Sequence, residues 1–485
     1  MLSKKFTALL MVLSLIVGAA ATYFGVTYVD QRKQAATLEG NVDLKNVPAQ
    51  DIQKLEAVFS FISSNYFQNV NQDNLTNGAI KGMVDSLNDP FSAYMDPKTA
   101  SQFTQSLSSS FQGIGAEVQM VGGKVTIVSP IKGSPADKAG LKPHDQILEV
   151  DGKSMDGLSL YQAVSKIKGK KGSVVHLLVK RQGNDTPLTF DITRGDVPLK
   201  TVSFKTYKKS GNLIGYINIQ SFSEKTDQEF ANALKNLEGK NIDGLIIDVR
   251  GNPGGYLTAV QHIADDLISS SKPIVQIQDR AGKKQEINST LKKKKPYPII
   301  DLMDGGSASA AEILSAALHE AGGYPLIGVK SFGKGTVQQP IDMKDGSELK
   351  LTMFKWLTPD GNWIHKKGIQ PTIKIQEPDY FFTTPLTLKD HKPLKADMTS
   401  DQIADAQKML KGIGFDPGRT DGYFDDSTQV AVQAFQKTNH LSVTGEIDEK
   451  TAGVLQNKLI DAVSNPKNDL QLQAAFDVMT KELQP

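Results

Sequence analysis

At 485 residues the chain is long enough for about three domains, each with its own core, and its 39% hydrophobic, 22% charged and 7% aromatic content is that of globular protein. Lys and Arg number 55 against 53 Asp and Glu, a net charge of +2, too balanced for a protein that binds nucleic acid by neutralising phosphates. Cys is absent, which removes disulfides, thiolate metal sites and cysteine nucleophiles, so any nucleophile must be oxygen or nitrogen.

Residues 1–44 hold an apolar run, Phe6 to Val29, behind Lys4 and Lys5. About 20 such residues suffice for a membrane-spanning helix. An uncleaved anchor is the expected role, and the rest of the chain would then be extracytoplasmic. A cleaved signal peptide is the competing reading, because Ala19–Ala21 offer small residues for a signal peptidase; cleavage would release the protein. Residues 45–110 show helical spacing, with Ile52, Leu55, Val58, Phe59 and Ile62 followed by Ile80, Met83, Val84 and Leu87. They predict a helical arm that serves as a spacer or in dimerisation, and a homodimer is expected.

From 111 to 195 the pattern changes to short strands at 116–120, 124–130, 146–152, 173–181 and 188–194, with helices from Ser134 and over 160–167. Gly113-Ile114-Gly115-Ala116 opens the first strand, and closely spaced glycines let successive N–H groups converge on a carboxylate. Alone, G-x-G is more often a turn. With Gly133-Ser-Pro-Ala136, Ala139-Gly-Leu-Lys142 and Asp145-Gln-Ile-Leu-Glu-Val-Asp-Gly152, the segment resembles the PDZ domain of bacterial proteases, a β-sandwich or barrel-like fold. The resemblance implies capture of an extended C-terminal peptide, its carboxylate on the 112–116 loop.

Strands alternate with helices over 196–380, which predicts an α/β core: strands at 213–222, 243–250, 298–304, 325–329 and 349–357, helices at 224–238, 257–268 and 310–321. A linker at 381–399 leads to a small helical unit at 400–460. There Asp421-Gly-Tyr-Phe-Asp425, Thr428, Val432, Phe435-Gln436, Val443-Thr-Gly445, Asp448 and Thr451 resemble the peptidoglycan-binding module of cell-wall proteins. Peptidoglycan is the ligand this implies, although such modules also serve only as packing. Residues 461–485 make the C-terminal helical segment, in which 468–481 read as an amphipathic helix without chemistry of its own.

Gly305-Gly-Ser-Ala-Ser309-Ala310-Ala-Glu312 lies between an apolar strand and a helix. Ser309 followed by Glu312 is a capping box, which explains both residues with no catalysis. As a nucleophile, Ser309 would have the Ala310 N–H beside it for a developing oxyanion. A second donor would come from Arg250-Gly-Asn-Pro-Gly254-Gly255, through Gly255 or Gly254, although a tight turn accounts for the glycines as well. Asp248 and Arg250 read as a loop-fixing ion pair. None of the seven histidines sits in a triad motif, and His365 is a reserve base. His319-Glu320 lacks the second His of a zinc helix at 323.

Lys334 is the better base, provided that burial depresses its pKa enough to free the amine, and Gln338 would align it. Gly328 with Gly333-Lys334 nearly matches a phosphate loop, but Gly335 stands where Ser or Thr is required. Ser307-Ala-Ser309-Ala310-Ala-Glu312, Gly333-Lys334-Gly335, the Arg250–Gly255 turn and the PDZ-like segment together resemble the carboxy-terminal processing (tail-specific) proteases, peptidase family S41, of the Gram-positive type. One departure is Ala311, where members of that family often have Ser. The resemblance implies a multidomain α+β protein with a crotonase- or ClpP-like α/β core. It implies Ser309 as nucleophile, Lys334 as general base, Gln338 as its partner, Gly255 and Ala310 as oxyanion donors, and no cofactor or metal. The alternative is a non-catalytic scaffold that binds C-terminal peptides.

Overall fold

The computed structural model describes residues 47–484, with Gly122, Gln182, Asp185 and Ser270 excepted. The apolar run Phe6–Val29 lies outside the described residues, and among those described no helix is long and apolar enough to cross a membrane. The chain forms two units. One comprises the described residues up to 199 with Ile277–Gln285 and Gly335–Trp356; the other comprises Lys200–Gln276, Glu286–Lys334 and the chain from Leu357 onward.

In the first unit, α1 (Ala49–Asn65) and α2 (Gln72–Asp85) make the arm. Asn71 caps α2 by accepting from Asn74 N at 3.0 Å. After β1 (Ala93–Met95), Asp96 caps α3 (Pro97–Leu107), which has Pro in its first turn. The PDZ-like domain follows as β2 (Ser110–Gly113), β3 (Ala116–Val121), β4 (Lys124–Pro130), α4 (Pro135–Lys138), β5 (Gln146–Val150), β6 (Lys153–Ser154), α5 (Leu160–Ile167), β7 (Val174–Lys180), β8 (Leu188–Thr193) and β9 (Gly195–Pro198). Val175, Leu177 and Val179 alternate inward along β7 and join Val125, Ile127, Ile147 and Ile192 in one core. The sheet runs β3-β4-β5-β7-β8, so β3 is an edge, and β2 pairs antiparallel with β9, Gly113 opposite Gly195.

The chain continues through β10 (Val202–Lys209), β11 (Asn212–Ile219), α6 (Thr226–Glu238), β12 (Gly244–Asp248), α7 (Leu257–Leu267), β13 (Val275–Gln278), β14 (Lys284–Ile287), β15 (Ile299–Met303), α8 (Ala310–Ala316) with a π-helical turn over Ala317–Ala321, β16 (Leu326–Gly328), β17 (Thr336–Asp342), β18 (Glu348–Leu357) and β19 (Ile373–Lys374). A five-stranded sheet runs β1-β18-β13-β14 with β17 on β18. In the second unit the sheet order is β10-β11-β12-β15-β16-β19, parallel except for the β10–β11 hairpin. Runs such as Leu245-Ile246-Ile247 and Ile299-Ile300 are buried throughout, as a parallel sheet covered on both faces requires.

The helical module inserts between β19 and the last helix. It contains α9 (Asp401–Gly412), α10 (Asp426–Thr438) and α11 (Glu449–Ser464). Leu386 and Leu394, from the 381–399 segment, pack in its core with Phe424, Val432, Phe435 and Leu455. Gln407 and Gln436 are fully buried and play the same part in two successive loops. Gln407 accepts from Gly422 N at 2.9 Å and Gln436 from Gly445 N at 2.9 Å. Much of the module's sequence signature is therefore accounted for by its own packing.

The last helix, α12 (Leu470–Glu482), is part of the second unit. Its Leu472, Ala475, Phe476 and Met479 pack against Ile214, Tyr216, Ile246, Ile300, Leu302 and Ile327, covering one face of the central sheet. Gly244 permits this approach, since a Cβ there would lie 2.3 Å from Met479 Sδ.

Candidate active site

Ser309 ends the loop after β15 and begins α8. Its backbone has φ 56° and ψ −113°, a region that costs an L residue on the order of 1–3 kcal/mol and persists only where neighbours impose it. Ser309 is the second residue of the turn Ala308–Ala311, closed by Ala311 N donating to Ala308 O at 3.1 Å. Ala308 N in turn donates to Asn252 O at 2.9 Å. Ser307, fully buried, donates from Oγ to Val249 O at 2.8 Å and accepts from Asp304 N at 2.9 Å, so the other serine of the motif is a clamp.

Glu312 is wholly buried and joins the two halves of the site. Its Oε2 accepts from Ser309 N and from Lys334 N, each at 2.8 Å. Its Oε1 accepts from Ser331 Oγ at 2.5 Å and Gly333 N at 2.7 Å. The amide nitrogens of Ser309 and Lys334 thus flank one oxygen, no farther apart than those two bonds laid end to end. A second tie is Phe332 N donating to Ser307 O at 3.1 Å. Lys334 is half-buried. Its loop is braced from behind by Lys366 N donating to Gly333 O at 2.8 Å and Ile369 N to Ser331 Oγ at 2.7 Å. Gly333 has φ 94°, and a Cβ there would lie 2.9 Å from Gly368 N, so no other residue fits without displacing that strut.

The glycine turn lies directly against Ser309. A Cβ on Gly254 would come within 2.9 Å of Ser309 Cβ and 3.0 Å of Ala310 N. Asn252, fully buried, shapes the turn, donating to Ile219 O at 2.8 Å and accepting Gly254 N at 2.8 Å. Gly255 has φ 144° and bridges to Phe222, whose carbonyl a Cβ would strike at 2.1 Å. Arg250 and Asp248 form the anticipated ion pair, with Nη2 to Oδ2 at 2.7 Å and Nε at 3.0 and 3.1 Å.

Gln338 lies on β17 in the first unit, and its amide donates to Thr336 Oγ1 at 3.1 Å and Thr352 Oγ1 at 2.9 Å. The reserve base His365 stacks on Trp363, ring centroids 5.3 Å apart. In the PDZ-like domain, Gly113 closes the β2–β9 ribbon and Ala116 starts the edge strand β3. Between them, Ile114 O accepts from Ala136 N at 2.7 Å, and Gly115 O from Ile131 N at 2.9 Å and Ser134 Oγ at 2.8 Å. Gly115 has φ 76°, with Ser134 Cβ 2.4 Å from where its own Cβ would be.

Two contributors escape a sequence reading. Glu312 reads as a helix cap, and its reach to Lys334 spans 22 positions. Asn252 reads as an ordinary turn residue. In both cases the only local signal is a polar residue next to a motif.

Sequence profiles match four segments: the CtpB N-terminal domain of activating proteases over residues 15–99, a PDZ domain over 104–180, peptidase family S41 over 213–375 and a peptidoglycan binding domain over 399–455. The chain is similar to the carboxy-terminal processing protease CtpB of Bacillus subtilis, 50% identical over 476 residues that cover 98% of this chain and 99% of that one. It is 40% identical to CtpA of the same organism over 98% of each chain. Among solved structures, the photosystem II D1 C-terminal processing protease aligns with 28% identity over 67% of this chain and 86% of its own, with a TM-score of 0.41.

Proposed function

Because this chain belongs to the carboxy-terminal processing proteases of peptidase family S41 and is a serine-type peptidase, we propose that it cleaves proteins at the Ser309 hydroxyl with Lys334 as general base. The neutral Lys334 amine takes the Ser309 proton as Oγ attacks the scissile carbonyl, and returns it to the leaving amine. It then activates the water that hydrolyses the acyl-enzyme. Ala310 N–H and Gly255 N–H receive the oxyanion. Gly254 is the poorer donor, since its N–H is spent on Asn252. Gln338 would steady the amine.

Substrates enter by their C-terminal tails, which add as a strand to the β3 edge beside α5, with the carboxylate at 113–116. The Phe6–Val29 segment holds the protein at the membrane, with the peptidase extracytoplasmic, and the inserted module faces peptidoglycan. Helix α1 buries none of its residues and exposes Leu55, Val58 and Phe61, which supports a homodimer through the arm.

The observation that carries this reading is the single oxygen of Glu312 that accepts from both Ser309 and Lys334. The test is cleavage of casein and of a C-terminally tailed peptide by the full chain, Ser309→Ala and Lys334→Ala. Cleavage by the parent alone supports the dyad. Equal cleavage by all three overturns it, and none by the parent on either substrate favours the scaffold.

A further inference from the structure

The turn that ends at Gly255 is rooted in Arg250, and Arg250 is gripped from two sides. Asp248 holds one edge of the guanidinium. The other edge meets Asp469, with Nη1 to Oδ1 at 2.9 Å and Nη2 to Oδ2 at 2.8 Å. Two parallel bonds of this kind fix a guanidinium in plane and in position, which a single contact does not. Both partners are largely out of water, the Arg250 side chain 17% and the Asp469 side chain 14% exposed. Asp469 is also the N-cap of α12, accepting from Leu472 N at 2.7 Å. Gln471 adds a bond to Arg250 Nη1 at 3.2 Å.

The grip carries forward to the site. Arg250 is one peptide before Gly251, whose N–H donates to Asp304 Oδ1 at 2.8 Å. The same oxygen accepts Ser307 N at 3.1 Å, two residues before Ser309. A shift of Arg250 is therefore passed to the strained serine and to the glycines beside it within a few bonds.

We infer that Asp469 is a positioning residue for the oxyanion turn, acting through Arg250, so that peptide hydrolysis depends on a helix that follows the inserted module in sequence. This rests on the oxyanion reading above. Asp469→Asn keeps the shape but loses the charge and one acceptor of the fork, and Asp469→Glu restores both. Asp477→Gly weakens α12 at an exposed position remote from Arg250 and serves as the stability control.

The measurements are kcat and KM on a short unstructured peptide, thermal stability, and the rate at which a fluorophosphonate probe labels the serine. Asp469→Asn should lower kcat and the labelling rate at least about tenfold with KM changed less than about twofold, the pattern of an interaction made in the transition state. Asp469→Glu should recover most of both, and Asp477→Gly should keep kcat even where its Tm falls as far. The inference is overturned if Asp469→Asn retains kcat, or if Asp477→Gly at equal Tm loses as much. Ser309→Ala separates the two levels. Should it stay active, the serine reading itself is wrong; should it be dead while Asp469→Asn is fully active, only the role of Asp469 falls.

Discussion

Two oxygens of one buried side chain hold four donors at the centre of the site, and that arithmetic predicts what an isosteric change will do. Glu312→Gln keeps the volume but turns an NH2 toward two of the four groups, Ser309 N, Lys334 N, Gly333 N and Ser331 Oγ. Each buried donor left opposed costs about 1–3 kcal/mol. Part of that loss falls on the positive-φ backbone of Ser309, which relaxes once its N–H is released. The expected outcome is a lower Tm together with a fall in kcat of roughly tenfold or more, the scale of a lost transition-state contact. Unchanged kcat in a melted-down but folded variant would separate Glu312 from the chemistry. Ser309 and Lys334 stand out in the sequence through the spacing of the motif they belong to, and the fold brings their amides to one Glu312 oxygen. Asn252 does not stand out, because its partners Ile219 and Gly254 become neighbours only when β11 and the glycine turn meet.

At the scale of elements, α12 docks through its first turn. Glu377, 5% exposed, accepts from Leu470 N at 3.1 Å and Gln471 N at 2.8 Å, with Arg250 Nη1 at 3.6 Å. Burial, assisted by the negative Asp469 beside it, pushes the Glu377 carboxyl up to about 7 against the pull of those N–H groups. A carboxyl raised in the fold holds its proton there longer than in the unfolded chain. The stability it contributes is complete below the ordinary range near 4.5 and is lost as pH rises through 7. Glu377→Gln, neutral at every pH, removes that dependence. Melting both proteins from pH 5 to pH 8 should show the parent's Tm falling relative to the variant, and parallel curves would contradict the assignment.

The same helix marks where sequence reading stops. Strand 124–130 and helix 160–167 appear at the anticipated residues because each carries its own periodicity. The amphipathic pattern over 468–481 predicts a helix, yet its partners Ile214, Ile246 and Ile300 lie some 170 to 260 positions away and leave no mark on it. Strand β10, rich in Lys and paired on one side by the β11 hairpin, and β17, with Pro340 within it, are edges whose polar surface hides them.

Over the whole molecule, insertion is the recurring device. The PDZ-like domain enters and leaves through one ribbon, Gly113 beside Gly195, so residues 114–194 can be replaced by a short glycine bridge with little strain on the rest. Such a protein should keep the melting transition of the second unit. With tails entering at the β3 edge as proposed, it should also cleave C-terminally tailed proteins no better than internal sequences of the same composition, through a rise in KM for the tailed ones. An unaltered preference would mean the domain does not select substrates. The helical module is likewise interposed between β19, which ends at Lys374, and α12, which begins at Leu470. Synthesis runs in that order. One face of the central sheet therefore stays bare, and the Arg250 fork half-filled, until the ribosome has also made the module and the helix beyond it. A nascent chain paused between Lys334 and Leu470 already holds the proposed pair Ser309 and Lys334 and still lacks the contacts that Asp469 and Gln471 make to Arg250.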